Sequence, residues 1–243
     1  MKGSERLDRL LSRLGYCSRS EIRAWLRQGR ITVEGTTRLD ASTRVNAHAV
    51  RLDGEELDHP DGLTLIYHKP VGRVCSHREQ GPLIYDDLPA RWLGRKPQLS
   101  AVGRLDKDTS GLLILTDDGT LNHHLTSPRH DIPKTYRVRL ARPLTGHETE
   151  LFAAGTLMLE EEDTPCLPAA LTVLGEREAE LTLREGRYHQ VRRMFAAAGN
   201  HVEELCRMRI GELALADTGL DAGAYRDIDR EALLAWIEGG QRP

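Results

Sequence analysis

Asp106 lies between Arg104 and Lys107 in Gly103-Arg104-Leu105-Asp106-Lys107-Asp108-Thr109-Ser110-Gly111, a polar stretch bracketed by glycines. The run Leu112-Leu113-Ile114-Leu115 follows, and then Thr116-Asp117-Asp118-Gly119. Four consecutive aliphatic residues predict a buried strand, and Asp-Gly suits its closing turn. A carboxylate on a loop at the mouth of a sheet, with cations beside it, is placed to act as a nucleophile or a base. Taken alone, an Asp near Gly more often serves a turn, its oxygens accepting from nearby amides. Asp108 reads in that way, as a residue bonding the loop backbone.

Three further segments carry chemically capable side chains. His68-Lys69-Pro70-Val71-Gly72 reads as a turn fixed by proline and glycine. Lys134-Thr135-Tyr136 opens a strand, where an unaligned tyrosine is ordinarily a core or edge residue. In Gly186-Arg187-Tyr188-His189-Gln190-Val191-Arg192-Arg193-Met194-Phe195 the residues Val191, Met194, Phe195 and Ala198 make a helical stripe before Gly199-Asn200. That stripe predicts a core face. Arg192 and Arg193 both fall outside it, and the residues alone do not choose between them. His123, His124 and His189 belong to no cluster with ligand spacing, so they read as satisfied or exposed histidines and no metal site is expected.

These segments need a scaffold. Strand-like runs recur at residues 63–67, 112–115, 136–140, 170–174 and 180–183, while helical patterns are fewer and shorter. The pattern predicts an α+β fold with a largely antiparallel sheet. A length of 243 residues with 39% hydrophobic content allows one or two domains with real cores. No run approaches the roughly 18 apolar residues of a membrane helix, and the charged N-terminus shows no apolar signal region, so no membrane association and a cytoplasmic location are expected. Cys17, Cys75, Cys166 and Cys206 are far apart and read as reduced, packed thiols.

The formal net charge of −3 would not suggest a polyanionic partner, but its distribution does. Residues 1–30 hold eight basic residues (Lys2, Arg6, Arg9, Arg13, Arg19, Arg23, Arg27, Arg30) against three acids (Glu5, Asp8, Glu21). Screening confines surface fields to roughly 10 Å, so such a patch attracts phosphate even on an acidic chain. Leu7, Leu10, Leu11 and Leu14 predict an amphipathic helix ending at Gly15. A second helix, capped by Ser18 or Ser20, would bury Ile22, Trp25 and Leu26 and set Arg19, Arg23, Arg27 and Arg30 on one face. An arginine stripe on a generic helix is more often simply solvated. Short strands at 29–35 and 49–54 follow, and Asp58-His59-Pro60-Asp61-Gly62 reads as a linker.

The segment Gly103–Gly111 resembles the catalytic segment of the pseudouridine synthases, which isomerise uridine in RNA to its carbon-linked form. The segments at His68, Lys134 and Gly186 match the same family pattern. The resemblance implies that Asp106, the aspartate after Arg-Leu, is catalytic and that Tyr136 packs on the target base. It also implies that Arg192, the basic residue after His-Gln-Val, pairs with Asp106. A permanent, forked charge there would hold the carboxylate ionised. Arg104, Lys134, Arg187 and Gln190 are the expected RNA contacts of this part, and no cofactor is implied. Residues 4–58 resemble the S4 RNA-binding domain through Glu5-Arg6-Leu7-Asp8, Ser18-Arg19-Ser20 and Ile31-Thr32-Val33-Glu34-Gly35. That resemblance implies binding of phosphate backbone and RNA shape, with Arg19, Arg23, Arg27 and Arg30 as contacts.

The expected architecture is therefore a small S4-like module with its linker over residues 1–60 and a largely antiparallel, mixed-sheet catalytic domain over residues 61–243. The stretches 195–205 and 126–130 resemble the branch of the family that modifies 16S ribosomal RNA. This implies 16S RNA as substrate, free or within a partly assembled small subunit, with uridine 516 as the target, and a monomeric enzyme. The alternatives are a sister enzyme acting on large-subunit RNA and a non-catalytic RNA-binding assembly protein. A pure binding module has no need of an aspartate facing an anionic ligand, and a generic hydrolase would need a second positioned acid, a metal cluster or a Ser-His pair.

Overall fold

The leucine spacing near the N-terminus forms the helix Leu7–Arg13, whose apolar side is fully withdrawn from solvent at Leu7, Leu10 and Leu11. The computed structural model describes residues 4–240, so Lys2 lies outside the described residues. Two units are distinguished by their internal contacts. Among the described residues, one comprises 4–64, 85–100 and 115–119, and the other 65–84, 101–114 and 120–240.

In the first unit, Leu7, Leu10, Leu11 and Leu14 pack with Ile22, Ile31, Val45, Val50 and Leu57. Helix Leu7–Arg13 is followed by Gly15 at φ +78°, where a Cβ would lie 2.3 Å from the Arg91 carbonyl oxygen. Only glycine tolerates both that dihedral and that approach. The second helix is Ile22–Arg27. It is shorter than the arginine spacing predicts, because Gly29 at φ +70° ends it. Arg23 and Arg27 are exposed on the helix, whereas Arg19 lies in the preceding turn and Arg30 lies past the helix. Arg30 is bound to Asp53 at 2.6 Å and rests 4.4 Å over the Trp25 ring. The four-arginine face is thus a two-arginine face. Ser18 does not cap the helix; its amide and hydroxyl donate to the Glu21 carboxylate at 2.7 and 2.6 Å. Strands Ile31–Val33, Val50–Leu52 and Glu55–Glu56 form an antiparallel sheet.

Segment 58–62, expected as a linker, is bonded along its length. The Asp58 carboxylate accepts from Arg91 and, at 2.8 Å, from Trp92 Nε1. Arg95, with its side chain only 1% exposed, forms an ion pair with Asp117 at 2.7 Å. Its other nitrogens donate to the Asp58 and His59 carbonyls at 3.5 and 2.8 Å. Asp117 also accepts from the Leu63 amide at 2.8 Å, so a buried charge is met by a carboxylate and by main-chain dipoles.

The second unit is built on a nine-stranded sheet among the described residues. Its main path runs Ala170–Val173, Glu178–Leu183, Lys134–Leu140, Val202–Ile210, Thr109–Thr116, Thr64–Lys69 and Tyr225–Asp227. Strand Val202–Ile210 pairs antiparallel with Lys134–Leu140 and parallel with Thr109–Thr116, which makes the sheet mixed. The five strands read from the sequence are present. The central strand Val202–Ile210 is not among them, because bulges between Val202 and Glu204 and between Arg207 and Arg209 break the two-residue period. Its buried residues are Val202, Leu205, Arg207 and Ile210, at spacings no alternation rule detects. Helix Gln190–Ala197 buries Val191, Met194 and Phe195, and Phe195 meets Phe152 edge to face at 5.1 Å. A second cluster gathers Ile66, Leu112, Ile114, Leu121, Leu125, Leu233 and Trp236. No helix among the described residues is long and apolar enough to cross a membrane.

Candidate active site

The loop that carries Asp106 closes with a hydrogen bond from the Thr109 amide to the Asp106 carbonyl at 3.1 Å, which turns the chain into strand Thr109–Thr116. The strand is longer than its aliphatic run and begins inside the motif. Gly111, at φ +114°, presses on its neighbour: a Cβ there would lie 2.3 Å from the Arg207 carbonyl oxygen. The loop is held from the other side by the first strand of the unit. Lys69, with no solvent exposure, donates from Nζ to the carbonyls of Thr109 at 2.7 Å, Pro70 at 3.1 Å and Lys107 at 3.4 Å. Gly72 adds its amide to the Lys107 carbonyl at 2.7 Å. The His68–Gly72 segment is therefore more than a turn. It is a clamp on the main chain at both sides of Asp108. Burial holds the Lys69 ammonium below the ordinary lysine range, opposed by the nearby Cys75 and Asp106.

Lys69→Met should lower the single-turnover rate on RNA about a hundredfold with RNA affinity within about threefold of wild type. Three carbonyls lose the ammonium donor, with the Gly72 amide left on that of Lys107, and small misplacement of a reacting group is expensive in rate. A rate within about threefold of wild type would show that the clamp does not set the position of Asp106.

Asp106 is partly exposed and lines a cavity of about 710 Å³ together with Arg104, Lys134, Tyr136, Arg187 and His189. His189 Nε2 lies 3.3 Å from Asp106 Oδ1. A histidine read from sequence as satisfied or exposed thus stands directly beside the motif carboxylate. Its backbone, at φ +48°, caps helix Gln190–Ala197 in the left-handed region, and its ring stacks on Tyr188 at 3.8 Å. That capping turn aims the imidazole at Asp106. With its proton on Nε2, the ring donates to the carboxylate and orients it. Neither histidine spacing nor charge patterning shows this; its place directly before Gln-Val-Arg is the one signal available.

The expected pair between Arg192 and Asp106 is not formed. Arg192 Nη2 meets Asp108 Oδ2 at 2.9 Å, and Nη1 donates to the Val202 carbonyl at 2.9 Å. Asp108 therefore does not simply bond its own loop. Because Arg192 is already fixed to strand Val202–Ile210, its guanidinium meets the carboxylate two residues beyond Asp106 and anchors the loop instead of Asp106 itself. Arg193 is held by Glu162 at 2.8 Å and by the Tyr188 carbonyl at 3.1 Å. Arg192→Ala should slow isomerisation roughly tenfold, and more than Arg193→Ala, since only Arg192 fixes the Asp106 loop. Equal losses, or losses in binding alone, would defeat this assignment.

Arg187 and Gln190, expected as RNA contacts, are occupied inside the protein. Arg187 binds Glu185 at 3.0 Å, Glu162 at 3.3 Å and the carbonyls of Thr164 and Pro165 at 2.7 and 2.6 Å. Gln190 is 4% exposed, accepts from the Arg187 amide at 2.9 Å and donates to Glu185 at 2.6 Å. They shape the loop beneath the cavity. Arg104, by contrast, is 70% exposed and only 3.4 Å from Glu79. Tyr136 lies partly buried on strand Lys134–Leu140, with its ring at the cavity and its edge against the apolar core. Lys134 is half-buried on the same wall, and burial followed by the charge of Arg207 lowers its pKa.

The arrangement is Asp106 beside an aromatic wall and a rim of cations, with the other two carboxylates of the lining, Glu79 and Glu185, set against Arg104 and Arg187. The sequence matches the family model for RNA pseudouridylate synthase over residues 63–197, which contain Asp106, Tyr136 and Arg192, and the S4 domain model over residues 5–50. Ribosomal small subunit pseudouridine synthase A of Pasteurella multocida is 41% identical, over 95% of this chain and 99% of that protein. Its namesake from Escherichia coli K12 is 40% identical, over 96% and 100%. A crystal structure of a pseudouridylate synthase superimposes with a TM-score of 0.66 at 34% identity, over 96% of this chain and all of that one. On these matches, and with this geometry, the chain belongs to the RNA pseudouridylate synthase family and is an RNA pseudouridine synthase that carries an S4 domain.

Proposed function

We propose that this enzyme converts a uridine of 16S ribosomal RNA, that at position 516, to pseudouridine, with Asp106 as its catalytic carboxylate. The observation that carries the reading is Asp106 facing a cavity walled by Tyr136, with His189 at 3.3 Å. The choice of 16S RNA is supported by the relatives named for the small ribosomal subunit.

The reaction breaks the bond from ribose C1′ to uracil N1, turns the base, and joins C1′ to C5 with the loss of the C5 proton to N1, so no atom is gained or lost overall. The sugar passes through an electron-poor state that needs a carboxylate, as in glycoside cleavage. Glycosidases need a second acid because they also activate a leaving group and a water. Here uracil is itself a tolerable leaving group and is retained, so one carboxylate suffices. Asp106 serves either by attack on C1′ or by removing the C2′ proton, and both require it ionised beside the sugar. The uridine must leave its stack, which costs a few kcal/mol unless it already lies in a loop. Tyr136 covers the exposed base by stacking, and Arg104 holds the flipped nucleotide from the rim. Arg23 and Arg27 supply phosphate contacts from the S4 domain.

The test is pseudouridine mapping across ribosomal RNA from cells lacking the protein, with in vitro conversion of a 16S fragment. Loss of the modification at a single 16S position is expected. Loss at a large-subunit position instead would overturn the choice of RNA.

A further inference from the structure

A smaller hollow of about 70 Å³ lies against Asp106 and Tyr136, with Leu105, Leu183, Val191 and Leu205 as its apolar lining. Lys134 and Arg207 line the larger cavity and not this hollow. Arg207 is 3% exposed; its Nε donates to the Leu112 carbonyl at 2.8 Å, and its Nη2 has no hydrogen-bond partner. Register sets Arg207 opposite Tyr136 on the paired strands, and Lys134 is two residues from Tyr136 along its strand. All three side chains therefore stand on one face of the sheet. Among the described residues no carboxylate forms an ion pair with Lys134 or Arg207, and Asp131 is bound to Arg184 at 2.5 Å. Two poorly hydrated cations side by side are unfavourable unless an anion joins them. When a uridine base enters the hollow at Asp106, the anion its own chain brings is a backbone phosphate. A neutral base would accept the hydrogen bonds but leave the charge unbalanced.

We propose that Lys134 and Arg207 form a recessed phosphate subsite that grips the RNA backbone next to the target uridine and so sets how deeply the nucleoside sits against Asp106. The inference rests on the reading above of an RNA substrate reacting at Asp106. An exposed cation such as Arg104 adds affinity at the rim, whereas a recessed pair also defines register, because a phosphate enters it only when its nucleotide is flipped.

The experiment uses the full-length protein and a 16S-derived RNA with one target uridine, with binding measured across a salt series and isomerisation in single turnover. Arg207→Gln should bind about tenfold more weakly, with a salt slope reduced by about one. Arg207→Lys should recover most of the slope, since charge alone displaces a counterion. Lys134→Met removes no hydrogen bond and should reproduce the effect of Arg207→Gln, which keeps the test decisive should Arg207→Gln fold poorly. RNA carrying a neutral methylphosphonate on the 5′ or 3′ side of the target supplies the partner half of the cycle. At one of those positions wild type should lose the same affinity, and Arg207→Gln should lose nothing further. Unchanged slopes in both variants, or additive losses at both positions, would overturn the subsite. If wild type meanwhile isomerises this RNA, the functional reading stands without the subsite. If it does not, that reading fails while the binding arm still decides the phosphate contact.

Discussion

Asp106→Asn will leave the fold and RNA affinity nearly unchanged and reduce isomerisation by roughly 10⁴-fold or more, the scale seen when a reacting group is removed. The amide is nearly isosteric with the carboxylate. The turn that holds the residue depends on its backbone carbonyl, which accepts from the Thr109 amide, and not on its side chain. His189 Nε2, 3.3 Å away, stands as close to the amide oxygen as to the carboxylate it replaces. What is lost is the negative charge, and with it any capacity to attack C1′ or take a proton from C2′. The check is single-turnover conversion of uridine in a 16S fragment, with affinity measured separately. A variant retaining about a tenth of wild-type turnover, free of contaminating wild-type enzyme, would remove Asp106 from the reaction.

Arg95→Ala should destabilise the protein by about 3–5 kcal/mol, the range for removing one partner of a buried ion pair. The arginine is almost wholly withdrawn from solvent and meets Asp117 at 2.7 Å. Truncation leaves a buried carboxylate without its counter-charge and takes the guanidinium donors from the carbonyls of Asp58 and His59, the latter keeping the Gly62 amide. It also opens a cavity the size of the longest side chain in this core. The measurement is urea unfolding followed by circular dichroism, which should show a lower midpoint at unchanged slope. A loss below about 1 kcal/mol would mean that water replaces the guanidinium and that the site is less dry than its burial indicates. Isomerisation per folded molecule should stay within about threefold of wild type, because the bonds of Arg95 run to Asp117, Asp58 and His59 and to none of the residues that line the cavity at Asp106.

Much of this molecule is written locally. The leucines at 7, 10, 11 and 14 specify their helix because period and apolarity act within two turns of chain. The aliphatic run after Gly111 specifies a buried strand, and Val191, Met194 and Phe195 specify a core helix face. Asp106 and Tyr136 are legible for another reason: the motif around each is nearly contiguous, and the cavity they share follows once their strands flank Val202–Ile210 on either side. The errors lie where partners are distant in sequence. Strand Val202–Ile210 escaped detection because its bulges are adjustments to two different neighbours, and those neighbours exist only in the assembled sheet. Arg30 looked like a free cation because Asp53, which neutralises it, lies more than twenty residues away along the chain, and Arg187 is enclosed by Glu162 and the Thr164 and Pro165 carbonyls, equally distant in sequence, as well as by Glu185. Arg192 was matched to the wrong aspartate for the same cause. Sequence shows that an arginine and a carboxylate are both present, but a shift of two residues along a loop decides which one falls within 3 Å, and that shift is set by the Lys69 clamp and the Val202 carbonyl. Hydrogen bonds and ion pairs act over a few ångströms, so residue type and local period determine which groups the chain brings to the site, while only the packed sheet decides which of them touch.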